Sequence, residues 1–123
     1  MKYAILVYSN PTFAAAWERL TDDERRAFGR AHLDLTEALA ESGELVVSEG
    51  LAGASSGLRV TVRDGRTMTT DGPFAEAKEH LAGFYLLECE SAERVVDYAA
   101  RLPDAAFGMV EVRPMLELTG MDW

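Results

Sequence analysis

Hydrophobic and polar positions divide the chain into short strand-like runs and amphipathic stretches. "KYAILVY" (2–8) has the β-branched and aromatic content of a strand. Asn10 and Pro11 look like an N-cap and a first helical position, opening a short helix toward Leu20. Thr21-Asp22-Asp23-Glu24 has capping-box spacing, in which Thr21 and Glu24 satisfy each other's free backbone N–H groups. A long helix should follow and stop near Gly43. "ELVVSEGL" (44–51) predicts a second strand and "AGASSG" (52–57) a loop. "LRVTVRDGRTMTT" alternates on both sides of Asp64-Gly65, the strongest short hairpin signal in the chain, and predicts an inserted ribbon. "FYLLECE" (84–90) is another strand. Ser91 can cap a helix from about Ala92 to Leu102, which Pro103 ends, and "GMVEVRPM" (108–115) closes the set.

The order strand, helix, strand, ribbon, strand, helix, strand predicts an α+β fold, the ferredoxin-like split βαβ with an inserted β-hairpin and strand order 4-1-3-2. The first and third main strands are then central. Both are apolar on both faces: Tyr3, Ile5 and Val7 alternate with Ala4, Leu6 and Tyr8, and Phe84 and Leu86 with Tyr85, Leu87 and Cys89. The helices cover one face of such a sheet, and one chain has nothing left for the other. A second copy packed sheet against sheet with two-fold symmetry is the economical cover, so a homodimer is expected.

Length and charge narrow the function classes. The 123 residues suit a single domain spanning 1–123, and 48% hydrophobic with 27% charged residues is an ordinary globular composition. Twelve basic against 21 acidic residues give a net charge of −9 with no Lys/Arg cluster, which argues against nucleic acid as a partner. The apolar run "YAILVY" is far too short to span a bilayer and nothing resembles a signal peptide, so no membrane partner and a cytoplasmic location are expected. Cys89 is the sole cysteine; no intrachain disulfide can form, and it reads as a small buried hydrophobe.

The chemistry-bearing candidates begin with His32. Phe28, His32, Leu35 and Leu39 are spaced by four, three and four residues, which puts the imidazole on the helix stripe that faces the sheet. A ring there is either a satisfied structural histidine or a functional one at a cleft. The functional reading needs a carboxylate to orient the ring and support its charge.

"TDGPFAEAKEHLAGFYLLE" (70–88) offers Asp71 for that role, at the end of the ribbon. Gly72, able to adopt positive φ, and Pro73, with its fixed φ, would hold the loop in one shape. The alternative for Asp71 is a turn carboxylate that accepts hydrogen bonds from nearby amides. Phe74 is either the wall of a pocket or a plug into the core. Glu76 and His80 share a face if the segment is helical, although a solvated charged face explains them more cheaply than a metal site, and no metal is expected. Tyr8, Phe74, Glu76, Lys78 and Arg113 complete the candidate substrate-binding set, with Lys78 or Arg113 holding an anionic substrate. There is no phosphate-cradling glycine pattern, G-x-S-x-G elbow or CxxC, and no cofactor is expected.

These residues carry a family resemblance. "TDGPFAEAKEHLAGFYLLE" resembles the signature of the DGPF branch of the YCII-related family, and "KYAILVY", "AHLDLTEAL", "SEGL", the ribbon and "VEVRP" extend the likeness over nearly the whole chain. The resemblance implies a dimeric α+β barrel of two ferredoxin-like protomers and a histidine–aspartate pair in a cleft. His32, within "RAHLDL", resembles the family histidine, whereas "GLAGASSGL" lacks the acid often found after the second strand. Either Asp71 replaces that acid or this branch has no such pair. The leading expectation is a cofactor-independent acid/base enzyme, an isomerase or lyase, acting on a small molecule, with His32 and Asp71 as catalytic residues. The rival is a non-catalytic ligand-sensing or partner-binding module, since relatives are often encoded near extracytoplasmic-function sigma factors.

Overall fold

The opening apolar run extends as β1 (Lys2–Ser9) in a computed structural model that describes residues 1–74 and 78–117. Asn10 caps α1 (Pro11–Glu18) by accepting a 2.7 Å hydrogen bond from the Phe13 amide. The Thr21/Glu24 capping box opens α2 (Asp22–Ser42), and Gly43, at φ 80°, supplies the left-handed residue that ends it. Then come β2 (Leu45–Gly50), β3 (Leu58–Arg63), β4 (Arg66–Asp71) and β5 (His80–Glu88). Ser91 caps α3 (Ala92–Ala99), a 3-10 turn covers Pro103–Phe107, and β6 (Val110–Pro114) is last. The third helix is shorter than the pattern predicts, because past Ala99 the Arg101 and Leu102 amides reach back only three residues, to the Tyr98 and Ala99 carbonyls.

The main sheet is antiparallel in the order β2-β5-β1-β6, the predicted 4-1-3-2 arrangement. Its core face carries Tyr3, Ile5, Val7, Tyr85 and Leu87, which pack against Leu35 and Leu39 of α2 and Val95, Tyr98 and Ala99 of α3. Ile5, Leu39, Leu87 and Val95 are fully excluded from solvent. Ala4 pairs with Leu86, Leu6 with Phe84, and Val47 with Leu86 across the ladder, so these side chains share the opposite face. Leu6, Phe84, Leu86 and Val47 are only half-buried there.

Strands β3 and β4 form a separate two-stranded ribbon whose residues are all exposed. Asp64 and Gly65 both have positive φ, 53° and 75°, as a type I′ hairpin requires. One side of the ribbon is an apolar stripe of Leu58, Val60 and Val62, each more than 60% exposed.

At the far end of the sheet, Glu44 accepts hydrogen bonds from the Arg94 guanidinium at 2.8 and 3.0 Å, from the Tyr98 hydroxyl at 2.5 Å and from the Cys89 thiol at 2.9 Å. The arginine is the main reason the Glu44 carboxyl is held well below the usual carboxylate range. Burial pushes the Cys89 thiol up, in keeping with its reading as a small hydrophobe. A carboxyl whose pKa is depressed on folding stabilises the fold above its unfolded value and loses that contribution as pH falls through the folded one. Stability should therefore decline below about pH 4.5. Glu44→Gln should flatten that decline in urea unfolding measured between about pH 3 and 6. Equal slopes for the two proteins would contradict the assignment.

Candidate functional site

His32 sits on the sheet-facing stripe of α2 with both ring nitrogens engaged. Nδ1 lies 2.7 Å from the Tyr85 hydroxyl and Nε2 lies 2.5 Å from Oδ1 of Asp104. The imidazole side chain is 28% exposed and the Asp104 side chain 5%, so the acid stands behind the ring and the ring meets solvent. Asp104 is held by the 3-10 turn that Pro103 starts and Gly108, at φ 68°, ends; its carbonyl accepts the Met109 amide at 3.2 Å. It is the one buried charged residue among those described, and a buried carboxylate persists where it has such partners.

Tyr85 completes the chain of groups. Burial pushes its phenol up to about 12, so the hydroxyl keeps its proton across the physiological range. It also lies 3.3 Å from the His32 carbonyl oxygen. This gives the ring two complete hydrogen-bond patterns with the same heavy-atom positions. With a neutral ring, Tyr85 O–H donates to Nδ1 and Nε2–H donates to Asp104. With a charged ring, Nδ1–H donates to the tyrosine oxygen, whose own hydrogen turns to the His32 carbonyl. Both patterns keep the heavy atoms of the site where they are.

Two cavities meet at this point. A cleft of about 450 Å³ is lined by His32, Tyr85, Asp104, Thr36, Ser48 and Glu49, among others. A second, of about 620 Å³, shares Asp104 and Ala82 with the first and is walled by Phe13, Trp17 and Phe28. Both fall within the size range of small-molecule sites, about 300–1,000 Å³. Phe28 joins them, stacking on the His32 ring at 5.7 Å.

The expected His32–Asp71 pair is corrected by this geometry. Asp71 ends β4 opposite Leu58, exposed, and the carboxylate on His32 is Asp104. Gly72 does not use positive φ. Its need for glycine is close approach: a Cβ there would stand 2.4 Å from the Ala54 carbonyl oxygen, and its amide donates to the Gly57 carbonyl at 2.8 Å. The Gly72–Pro73 peptide is cis. Gly72→Ala should therefore cost about 1–3 kcal/mol by steric conflict with backbone, and unchanged urea unfolding would contradict this.

Phe74 lies beneath the Arg59 guanidinium at 4.1 Å and lines neither cavity. Lys78 is exposed and also lines neither, and Glu76 lies outside the described residues. Arg113 is bonded to Glu111 at 2.8 and 2.9 Å. Tyr8 does line the second cavity, with its hydroxyl donating to Glu111 at 2.8 Å. His80 lines that cavity as well. No group of three or more His, Cys, Asp or Glu side chains is placed to hold a metal among the described residues, and none of the described helices is long and apolar enough to cross a membrane.

Sequence reasoning missed Asp104 and the site role of Tyr85. The signal for the former was present in "RLPDAAFGMVE", where Asp104 is the lone charged residue between Arg101 and Glu111 in an apolar segment. Such an acid is placed either in solvent or against a partner.

Comparison with known proteins agrees with this architecture. The family model of the YCII-related domain matches residues 1–119. An uncharacterised protein of Rhizobium meliloti (strain 1021) is 34% identical over 120 residues, covering 94% of this chain and 92% of that one. Among solved structures, 5-chloro-2-hydroxyhydroquinone dehydrochlorinase (TftG) from Burkholderia phenoliruptrix AC1100, in complex with 2,5-dihydroxybenzoquinone, superposes with a TM-score of 0.55. It covers 99% of this chain and 100% of that one at 18% identity, a likeness of fold.

Proposed function

The chain belongs to the YCII-related family, and from that premise we propose that it is a cofactor-independent acid/base enzyme that moves a proton on a small molecule bound beside His32. The observation that carries this reading is the Asp104–His32–Tyr85 chain, buried at the acid and open to the cleft at the ring. Tyr85 accepts the substrate proton on its oxygen while passing its own to Nδ1, the ring becomes imidazolium, and Asp104 compensates the charge; the return step reverses these transfers. The fold shared with TftG, a dehydrochlorinase of a small hydroxylated ring, is compatible with such chemistry and fixes none of its details.

The test is proton exchange with solvent. In D2O, a panel of small hydroxylated aromatic and unsaturated carbonyl compounds should include one that gains deuterium in the presence of protein, read by NMR. His32→Ala should slow that exchange by about 10²–10⁴-fold, the usual worth of a general acid–base group. Exchange unchanged by His32→Ala would sink the proposal.

We also propose that the working form is a homodimer, because the face carrying the half-buried Leu6, Val47, Phe84 and Leu86 has no helix over it among the described residues. The exposed Leu58–Val60–Val62 stripe supports the rival reading, a partner-binding module. That reading gains if Val60→Lys abolishes a function that His32→Ala leaves intact.

A further inference from the structure

We infer that the aromatic cavity beside Asp104 binds an uncharged, planar, hydroxylated ring system of one or two rings, rather than the anion that Lys78 or Arg113 would have held. As a substrate subsite it rests on the proton-transfer reading; as a binding site it stands on its own geometry.

The walls decide the shape. Phe28 meets Phe13 edge-on at 5.8 Å and Trp17 edge-on at 5.4 Å, so the three rings brace one another across the α1–α2 junction. The lining also takes in the loop Leu51–Ala54, where Ala52, Gly53 and Ala54 follow Leu51. A braced aromatic wall together with small and aliphatic side chains gives a largely apolar cavity, suited to a flat ring. At about 620 Å³ it has room for such a molecule with one edge at Asp104.

The charges decide the ligand class. The carboxylates lining this cavity are Glu18 and Asp104, the neighbouring cleft adds Glu49, and the basic side chains among the described lining residues are the imidazoles of His80 here and His32 in the cleft. No Lys or Arg is among the described lining residues of either cavity. Arg25 is close by, but it donates to the Trp17 carbonyl at 3.2 and 3.0 Å, lies over the Trp17 ring at 5.3 Å and pairs with Glu18. A carboxylate or phosphate entering the slot would lose its hydration and meet carboxylates. A phenolic hydroxyl, by contrast, can donate a charge-assisted hydrogen bond to one of them while its ring lies against the aromatic wall.

Hydroquinone and 4-hydroxybenzoate share the phenol and differ in the anionic group, so they test this directly. The reporter is the Trp17 indole N–H resonance of the full chain at pH 7.5, assigned with Trp17→Phe because the sequence has two tryptophans. Hydroquinone should shift that resonance and bind at least about tenfold more tightly than 4-hydroxybenzoate, equivalent to about 1.4 kcal/mol. Ala52→Phe, which fills the slot from an exposed loop position, should weaken hydroquinone about tenfold or more, by the same measure. Equal or tighter binding of 4-hydroxybenzoate, no movement of the Trp17 resonance, or full affinity in Ala52→Phe would overturn the inference. Hydroquinone binding that survives while no compound exchanges protons would instead strike the acid/base reading and leave this site standing.

Discussion

Asp104→Asn should reduce proton-transfer turnover by about 10²–10⁴-fold with the fold intact. The two side chains have nearly the same shape, so the 3-10 turn and its contact with Met109 have no steric reason to change. The chemistry of the contact with His32 does change. An amide NH2 facing Nε2 would force the ring proton onto Nδ1, and Tyr85 could then no longer donate there. An amide oxygen facing Nε2 would keep the tautomer but remove the negative charge that supports the imidazolium. Either outcome disables one half of the two-pattern arrangement. Asp104→Ala should add a structural loss of about 1–3 kcal/mol, the usual cost of leaving a buried polar group without its partner. Chemical denaturation separates the two effects: Asn should lose turnover at near-wild-type stability, and Ala should lose both. Wild-type turnover in Asp104→Asn would remove the acid from the mechanism.

Leu86→Glu should convert a dimer into a monomer. Leu86 is half-buried on the open sheet face, directly across the ladder from Ala4 and Val47. A carboxylate there points to solvent in the isolated chain at little cost, since one strand neighbour, Glu88, is already exposed. In a sheet-to-sheet interface the same charge would be buried without a partner. A penalty of about 3 kcal/mol or more is expected, roughly a hundredfold in the dissociation constant. Light scattering at micromolar concentration should report two chains for the wild-type protein and one for the variant. A well-folded wild-type monomer would remove the dimer from the account.

Local signals made most of the fold legible. Asn10, Thr21/Glu24, Gly43, Ser91 and Asp64-Gly65 each mark an element end through chemistry within four residues, and each appears in the structure in the predicted role. Strand order followed from the order of strands and helices along the chain, and the two runs apolar on both faces agreed with it. The site was less legible because its acid is remote in sequence. His32 was visible from helix periodicity, but 72 positions separate it from Asp104. Asp71 stands out in the sequence because it adjoins Gly72 and Pro73, yet Gly72 serves to let the ribbon pass within contact of Ala54. Specialised backbone residues marked a close approach between chain segments and not the working carboxylate. Tyr85 was read only as a central-strand residue, since its ring belongs to the core while its hydroxyl belongs to the site.

The most direct test of the central claim is the proton NMR spectrum of the His32 ring in the wild-type protein, Asp104→Asn and Asp71→Asn. The account predicts a slowly exchanging Nε2–H resonance far downfield in the wild type, as a short bond from imidazole to a carboxylate requires. That resonance should persist in Asp71→Asn and vanish or move upfield in Asp104→Asn. Its loss in Asp71→Asn with no change in Asp104→Asn would contradict the account.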